Sequence, residues 1–170
     1  MPEKVVIAPY NPAWPQMFEH ERIVLRDSFR GTEAKIEHVG STSVYGLGAK
    51  PVIDIMIGVS RLKDAEERVG TLELAGYEYV ANYESAIPER RYFRKPRSKP
   101  RSIHLHCVLR GHEFWNQHLL FRDYLRNHPS VAEDYYQLKC DLSKRYNKVE
   151  YTEKKGQFIS SVLAIAAEVQ

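Results

Sequence analysis

Two short apolar runs joined by a loop of small residues constrain the fold more than any other part of this sequence. The runs, residues 36–39 and 52–59, are rich in β-branched residues and bounded by turn residues, which is typical of strands. Side chains alternate between the two faces of a strand, so the second run has one aliphatic face, and Asp54 interrupts the other. A carboxylate in this position is costly unless it meets a cation, hydrogen-bond donors or water.

The loop between the two strands is a candidate anion site. It begins with four small residues and ends with a cation: Gly40, Ser41, Thr42, Ser43 and Lys50. Free backbone N–H groups and small hydroxyls at the end of a strand can surround phosphate oxygens, and a nearby lysine adds positive charge. The same pattern is also compatible with a tight connection whose hydroxyls cap backbone groups.

Length and composition favour one domain over residues 1–170. The chain is 43% hydrophobic, which allows a core, and its net charge of +3 with interleaved charges does not by itself indicate a nucleic-acid partner. Cys107 and Cys140 lack CxxC spacing, which favours free thiols in a reducing cytoplasm. We expect a cytoplasmic protein without membrane association, because no stretch approaches the ~18 apolar residues of a membrane helix and no signal peptide is evident.

The segments around the strand pair predict helices and one further short strand. Asn11 followed by Pro12 predicts the start of a helix that buries an aromatic stripe and stops near Gly31. An amphipathic helix closed by Gly76 and a strand over residues 77–80 follow the strand pair. Beyond residue 113 the apolar spacing is helical, so the C-terminal portion is expected to be helical.

Residues 82–101 are polar and basic, and we interpret them as a mobile hairpin or loop. Arg91 and Arg94 are candidates to hold a polyanionic ligand, although a charge run of this kind is more often simply solvated. Tyr92 and Phe93 are the only aromatic candidates for stacking on bases in its basic part, which argues against nucleic acid as the partner.

His104 and His106 lie on a strand predicted over residues 102–109 and share one face of it. Imidazoles at this spacing are a common way to present two ligands to one metal ion, although a pair satisfied by backbone and water is commoner. If this strand neighbours the strand of Asp54, the three side chains converge on one face. One carboxylate and two imidazoles would suit Zn²⁺, Mn²⁺ or Fe²⁺ better than Mg²⁺.

Five separated motifs together resemble the GrpB family. They are PYNPAWP at 9–15, EHVGSTSV at 37–44, AKPVIDI at 49–55, HLH at 104–106 and FRDYLR at 121–126. The resemblance covers nearly the whole chain. It implies an α+β fold similar to the nucleotidyltransferase superfold, a small mixed sheet flanked by helices, and a relationship to the C-terminal domain of some dephospho-coenzyme A kinases.

The resemblance also implies a type of chemistry, although one residue departs from the pattern of the active members. In active members of that superfold a Gly-Ser pair cradles nucleotide phosphates and strand carboxylates hold divalent metals; Gly40-Ser41 matches the pair and Asp54 matches one carboxylate. Met56 stands where a second carboxylate is expected. Two functions remain open: a transferase dependent on Mg²⁺, Mn²⁺ or Zn²⁺ that acts on a nucleotide or other phosphorylated small molecule with Asp54 catalytic, or an inactive ligand- or protein-binding domain.

Overall fold

The computed structural model describes residues 3–169 and contains a mixed β-sheet of five strands. They are β1 (Lys35–Val39), β2 (Ile53–Val59), β3 (Glu78–Tyr79), β4 (Arg90–Lys95) and β5 (Ile103–Leu109), in the spatial order β1-β2-β5-β4-β3. β2 and β5 are parallel, and the other neighbours are antiparallel. The helices are α1 (Trp14–Ser28), α2 (Leu62–Glu66), α3 (Val69–Leu74), α4 (Glu113–Asn127), α5 (Pro129–Arg145) and α6 (Lys148–Glu168). The expected α+β fold is confirmed.

The aliphatic face of β2 forms the centre of the main core. Ile53, Ile55 and Ile57 are almost fully buried, and they pack in one cluster with Trp14 and Leu25 of α1. Burying each such aliphatic side chain contributes about 1.5–3 kcal/mol. The alternation in the sequence predicted this face, and the helices before β4 cover it.

Helix α1 begins later than the sequence predicted. Asn11 Oδ1 accepts a hydrogen bond from the backbone N–H of Ala13 at 2.9 Å, so it closes a turn before the helix instead of capping it. The first helical residue is Trp14, and Pro15 falls in the first turn, where its missing N–H has no partner to lose.

The opposite face of the sheet packs against the C-terminal helices. Met56 and Val108 contact Trp115 of α4, and a Cβ on Gly58 would lie 2.6 Å from the Trp115 ring, so only glycine lets the indole lie this close to β2. The contacts with α4 cover one end of this face, and Asp54 lies at the other end. Over residues 3–169 no helix is both long and apolar enough to cross a membrane.

Part of the basic stretch, which we predicted to be a mobile hairpin or loop, is a strand of the sheet. Residues 90–95 form β4, which pairs with β5 on one side and with β3 on the other. Tyr92 and Phe93 are buried, so these rings do not offer stacking surfaces. Arginines on a strand are tolerated here because their stems cover apolar surface while their guanidinium groups form ion pairs.

The interior of α6 contains a glycine that packing does not require. A Cβ added to Gly156 would meet no atom within 4 Å. We expect Gly156→Ala to raise the free energy of unfolding by roughly 0.5–1 kcal/mol, because alanine loses less backbone entropy in a helix. Urea denaturation measures the change. Gly111→Ala is the control: its site is also open, but its φ of 89° should make alanine destabilising. A loss of stability in Gly156→Ala would contradict the prediction.

Candidate functional site

Strand pairing brings Asp54, His104 and His106 together. β2 and β5 run in parallel with Asp54 opposite His104 and Met56 opposite His106. Asp54 Oδ1 lies 3.4 Å from His106 Nε2 and 3.7 Å from His104 Nδ1. The expected adjacency of the two strands is confirmed, and the three side chains share one sheet face.

Both ring nitrogens of His106 have protein neighbours. Nε2 faces Asp54, and Nδ1 lies 3.4 Å from a terminal nitrogen of Arg90. A guanidinium group can only donate, so Nδ1 accepts and Nε2 carries the hydrogen that points to Asp54. Arg90 in turn lies over the rings of Tyr92 and Phe114, at 5.1 and 5.6 Å from their centres. His106 is therefore oriented towards Asp54.

The site holds an ionised carboxylate beside a neutral imidazole. Burial raises the pKa of Asp54, but the hydrogen bond from His106, followed by the electrostatic effects of His106 and His104, outweighs it, so the pKa is lowered. Burial lowers the pKa of His104 to about 4, although Asp54 acts in the opposite direction. At neutral pH, Asp54 therefore carries a negative charge.

Gly40 brings the loop of residues 40–50 against Asp54. Its φ of 74° and ψ of −177° belong to a region that is essentially restricted to glycine. A Cβ at this position would lie 2.7 Å from Asp54 Oδ2. The loop could not approach the carboxylate this closely with any other residue at position 40.

The three hydroxyl residues of the loop form one 3₁₀ turn, Ser41–Ser43, and face different partners. Thr42 Oγ1 lies 2.9 Å from His38 Nε2, and Ser43 Oγ donates to the carbonyl of Gly40. Ser41 and Thr42 line the space beside Asp54, whereas Ser43 lines a different cavity. The predicted set of phosphate-binding hydroxyls is therefore only partly brought together.

A cavity of about 240 Å³ opens beside Asp54, and we call it the lysine cavity. The loop, the ends of β2 and β5, and helices α5 and α6 form its walls. Four lysines face one carboxylate, so its charge is positive. Its polar lining consists of Ser41, Thr42, Lys50, Asp54, His104, Lys139, Lys148, Thr152, Lys155 and the hydroxyl-bearing Tyr151.

Lys139 of α5 is 2% exposed, the most buried of these lysines. Its Nζ donates to Ser41 Oγ at 2.9 Å and to the carbonyl of Gly48 at 2.8 Å, which joins the two ends of the loop. Burial, followed by the charge of Lys155, lowers the pKa of Lys139 to about 7. Within residues 3–169 no carboxylate lies within 4 Å of its Nζ.

Lys155 of α6 is the second desolvated cation of the cavity. Burial lowers its pKa, against the opposing charge of Asp54. Lys148, at the start of the same helix, donates to Glu3 at 2.8 Å. Lys50 was expected at an anion site, and it does line the cavity.

Sequence reasoning missed Lys139, Lys148 and Lys155 because they lie on helices far along the chain from the loop. A signal was present. Lys139 comes four residues after Tyr135 and three before Leu142, and so occupies a position in the apolar stripe of α5. A cation in the buried stripe of a helix indicates a polar partner inside the fold.

The structure does not bring Arg91 and Arg94 to this cavity. Arg91 pairs in register with Cys107, on the sheet face opposite Asp54, and donates to Glu66 at 2.9 and 3.1 Å. Arg94 donates to both carboxylate oxygens of Glu78, at 2.7 and 3.3 Å. These ion pairs already engage both guanidinium groups.

Asp54, His104 and His106 do not by themselves surround a metal ion. Met56 is fully buried against Trp115, so the position where a second carboxylate was expected belongs to the core. In the part of the chain from residue 3 to 169, no three His, Cys, Asp or Glu side chains are arranged to hold a metal ion. The assignment of a metal to Asp54, His104 and His106 stays a prediction.

The mixed five-stranded sheet and its flanking helices define a protein of the nucleotidyltransferase-like fold class. A crystal structure of the Cid1 poly(U) polymerase with MgGTP bound is similar to 82% of this chain with a TM-score of 0.55, and the match covers 45% of that chain. The sequence identity is 15%, so the likeness shows the fold alone.

The chain belongs to the GrpB family. The family model described as GrpB protein matches residues 4–164. Glutamate-rich protein GrpB of Alkalihalophilus pseudofirmus is 34% identical over 167 residues, covering 94% of each chain. The crystal structure of GrpB from Enterococcus faecalis superposes with a TM-score of 0.87 at 33% identity, covering 96% of this chain and 98% of that one. The family resemblance stated from the motifs is confirmed.

Some relatives are longer than this chain. UPF0157 protein YqkA of Bacillus subtilis is 35% identical over 160 residues, which is 93% of this chain and 46% of that protein. The dephospho-CoA kinase of Mycobacterium bovis is 31% identical in an alignment of 167 residues that covers 82% of this chain and 40% of that one. The chain thus spans less than half the length of these two proteins.

Proposed function

We propose that this protein binds a nucleotide or a similar phosphate-bearing small molecule in the lysine cavity. The observation that carries the proposal is the convergence of four lysines, from the loop, α5 and α6, on one small space with Ser41. Burying the ammonium groups of two of these lysines, Lys139 and Lys155, is costly unless something offsets it. A polyanionic ligand would supply the opposite charge and accept hydrogen bonds from the lysines.

A divalent ion that arrives with the phosphates suits these residues better than a resident metal. Mg²⁺ is usually held by one or two carboxylates together with phosphate oxygens, not by an all-protein cage. Asp54 offers one carboxylate, and His104 offers a neutral imidazole that Mn²⁺ or Zn²⁺ would accept. We therefore propose Asp54 and His104 as the protein contacts of such an ion, with His106 orienting Asp54.

Transfer of a nucleotidyl or phosphoryl group is the catalytic form of this proposal. The bound ion would neutralise charge that develops on the transferred group, while the lysines and Ser41 would hold the phosphates in place. A second candidate function is a binding domain without catalysis. Met56 favours it, because a buried methionine stands where two-ion transfer would need a second carboxylate.

Thermal unfolding with added ligands tests the binding proposal. Purified protein is heated with tripolyphosphate or a nucleoside triphosphate, each with and without Mg²⁺, Mn²⁺ or Zn²⁺. A ligand at ~100 times its dissociation constant should raise the melting temperature by roughly 5–10 °C for a chain of this size. The absence of any shift with every phosphate compound would overturn the proposal.

Two neighbouring lysines on α6 allow a test of whether the anion binds at a specific site or only responds to net charge. Lys155 lines the lysine cavity, whereas Lys154 lies 4.8 Å from the centre of the Tyr146 ring. We expect Lys155→Gln to lower the affinity for tripolyphosphate at least tenfold and Lys154→Gln to change it less than twofold, as isothermal titration calorimetry would show. Equal effects of the two substitutions would mean that net charge alone attracts the anion.

Asp54→Asn should distinguish binding of the metal ion from binding of the phosphates. The substitution keeps the shape of the side chain and removes its charge, so we expect about a tenfold loss of affinity for the metal–nucleotide complex, which corresponds to ~1.4 kcal/mol. Binding of metal-free tripolyphosphate should become tighter, because a negative charge beside the lysines is gone. Calorimetric titrations with and without Mg²⁺ measure both. Global unfolding of the variant would instead identify Asp54 as a structural hydrogen-bonding residue.

A further inference from the structure

A second cavity adjoins the lysine cavity on the side of the N-terminal segment, and we call it the arm cavity. Its volume is about 410 Å³, and it is formed by residues 3–6, 50–52 and 99–101 with two single residues. The two cavities share a border, because five residues line both: Val5, Lys50, Val52, His104 and Lys148.

The sizes of the two cavities indicate different parts of one ligand. Small-molecule sites usually have volumes of about 300–1,000 Å³. The lysine cavity, at about 240 Å³, is smaller than this range, whereas the arm cavity, at about 410 Å³, lies within it. A nucleotide can place its phosphates in the first cavity only if its sugar and base extend elsewhere, and the shared border with Lys50 and Lys148 leads into the second.

The lining of the arm cavity can hold an organic body, because three of its five cationic residues already form ion pairs and aliphatic residues stand between them. Five of its twelve lining residues are apolar: Val5, Val6, Pro51, Val52 and Pro100. The other seven are charged or polar: Glu3, Lys4, Lys50, Lys99, Arg101, His104 and Lys148. Its acid, Glu3, already contacts Lys99 at 3.5 Å and Lys148 at 2.8 Å. Aliphatic walls can bury the faces of a sugar and a base through non-directional apolar contact.

One polar group in this lining lacks a partner. Arg101 Nε is buried without a hydrogen-bond acceptor, and no other buried side-chain nitrogen or oxygen between residues 3 and 169 is in this position. The terminal nitrogens of Arg101 are engaged with the carbonyl of Pro96 and with Glu78. A buried donor without an acceptor is costly. Because Nε is closed off from the cavity, a ligand atom would accept its hydrogen only after the Arg101 side chain shifts.

We infer that the arm cavity binds the nucleoside part of a nucleoside phosphate whose phosphates lie in the lysine cavity. Lys50 and Lys148 stand at the border, where the phosphate chain joins the sugar. This inference rests on the proposed function and adds the location of the sugar and base. The N-terminal segment thereby becomes part of the ligand site.

Calorimetric titration of the full chain tests this division. Tripolyphosphate probes the lysine cavity alone, and ATP, GTP, CTP and UTP probe both cavities. We expect at least one nucleoside triphosphate to bind the wild-type protein at least tenfold more tightly than tripolyphosphate. Val6 is 68% exposed and lines the arm cavity but not the lysine cavity, so Val6→Trp can fill the space without disturbing the core.

The variants give separate outcomes for the two proposals. Val6→Trp should abolish the advantage of the nucleotide and leave tripolyphosphate binding within twofold, whereas Val169→Trp, at a position that is 74% exposed, should behave as wild type. If tripolyphosphate binds but nucleotides bind no better, or if Val6→Trp leaves their advantage intact, the inference is wrong and the proposed function stands. If neither tripolyphosphate nor any nucleotide binds, both are wrong.

Discussion

Replacing Gly40 by alanine is expected to lower the free energy of unfolding by about 3 kcal/mol. The backbone at Gly40 has a φ of 74° and a ψ of −177°, which costs a residue with a Cβ roughly 1–3 kcal/mol. The new Cβ would also lie 2.7 Å from Asp54 Oδ2, so either the loop or the carboxylate must move. The loss of stability is measured by urea denaturation, and the loss of ligand affinity by calorimetry.

Gly46→Ala is the matched control for this substitution. Gly46 lies in the same loop with a φ of 78°, but nothing lies within 4 Å of the added Cβ, so only backbone strain of about 1 kcal/mol is expected. Asp54→Ala should recover part of the loss caused by Gly40→Ala, because it removes the oxygen that the Cβ meets. Equal losses at positions 40 and 46 would show that contact with Asp54 is unimportant.

The positions of β1, β2 and β5 could be predicted from the sequence because their burial is local and periodic. β2 buries Ile53, Ile55 and Ile57 on one face, and alternation alone indicates this. β4 could not be predicted in the same way. Arg91 and Arg94 lie within it, and they are tolerated only because Glu66 and Glu78, from elements elsewhere in the chain, form ion pairs with them.

The residues of the candidate site also differ in whether the sequence could place them. Asp54 and His104 could be placed together because each stands on a strand that the sequence already indicated, and the parallel pairing of those strands supplied the rest. Lys139 and Lys155 reach the cavity only through the docking of α5 and α6 against the loop, where Val44 and Leu47 pack with Tyr135. That docking depends on contacts between distant segments, which no local pattern specifies.

Lys139 should make stability and ligand affinity depend on pH in opposite directions. Its pKa of about 7 in the folded protein lies below the ordinary lysine value of about 10.4, so between these values the unfolded chain holds a proton that the folded chain has lost. The free energy of unfolding should therefore rise by about 2 kcal/mol from pH 7 to pH 8.5 on account of this group. Urea denaturation across that interval measures the slope, and Lys139→Met should remove this contribution.

The hydrogen bonds of Lys139 explain why stability should rise with pH while ligand affinity falls. A neutral amine has two hydrogens, which match its two acceptors, Ser41 Oγ and the carbonyl of Gly48, so losing the proton breaks neither bond. The third hydrogen of the ammonium form is the one that a phosphate oxygen would accept. Affinity for tripolyphosphate should consequently fall as the pH rises from 7 to 8.5 in the wild type, and fall less in Lys139→Met. Parallel pH profiles for the two proteins would show that Lys139 does not titrate in this range.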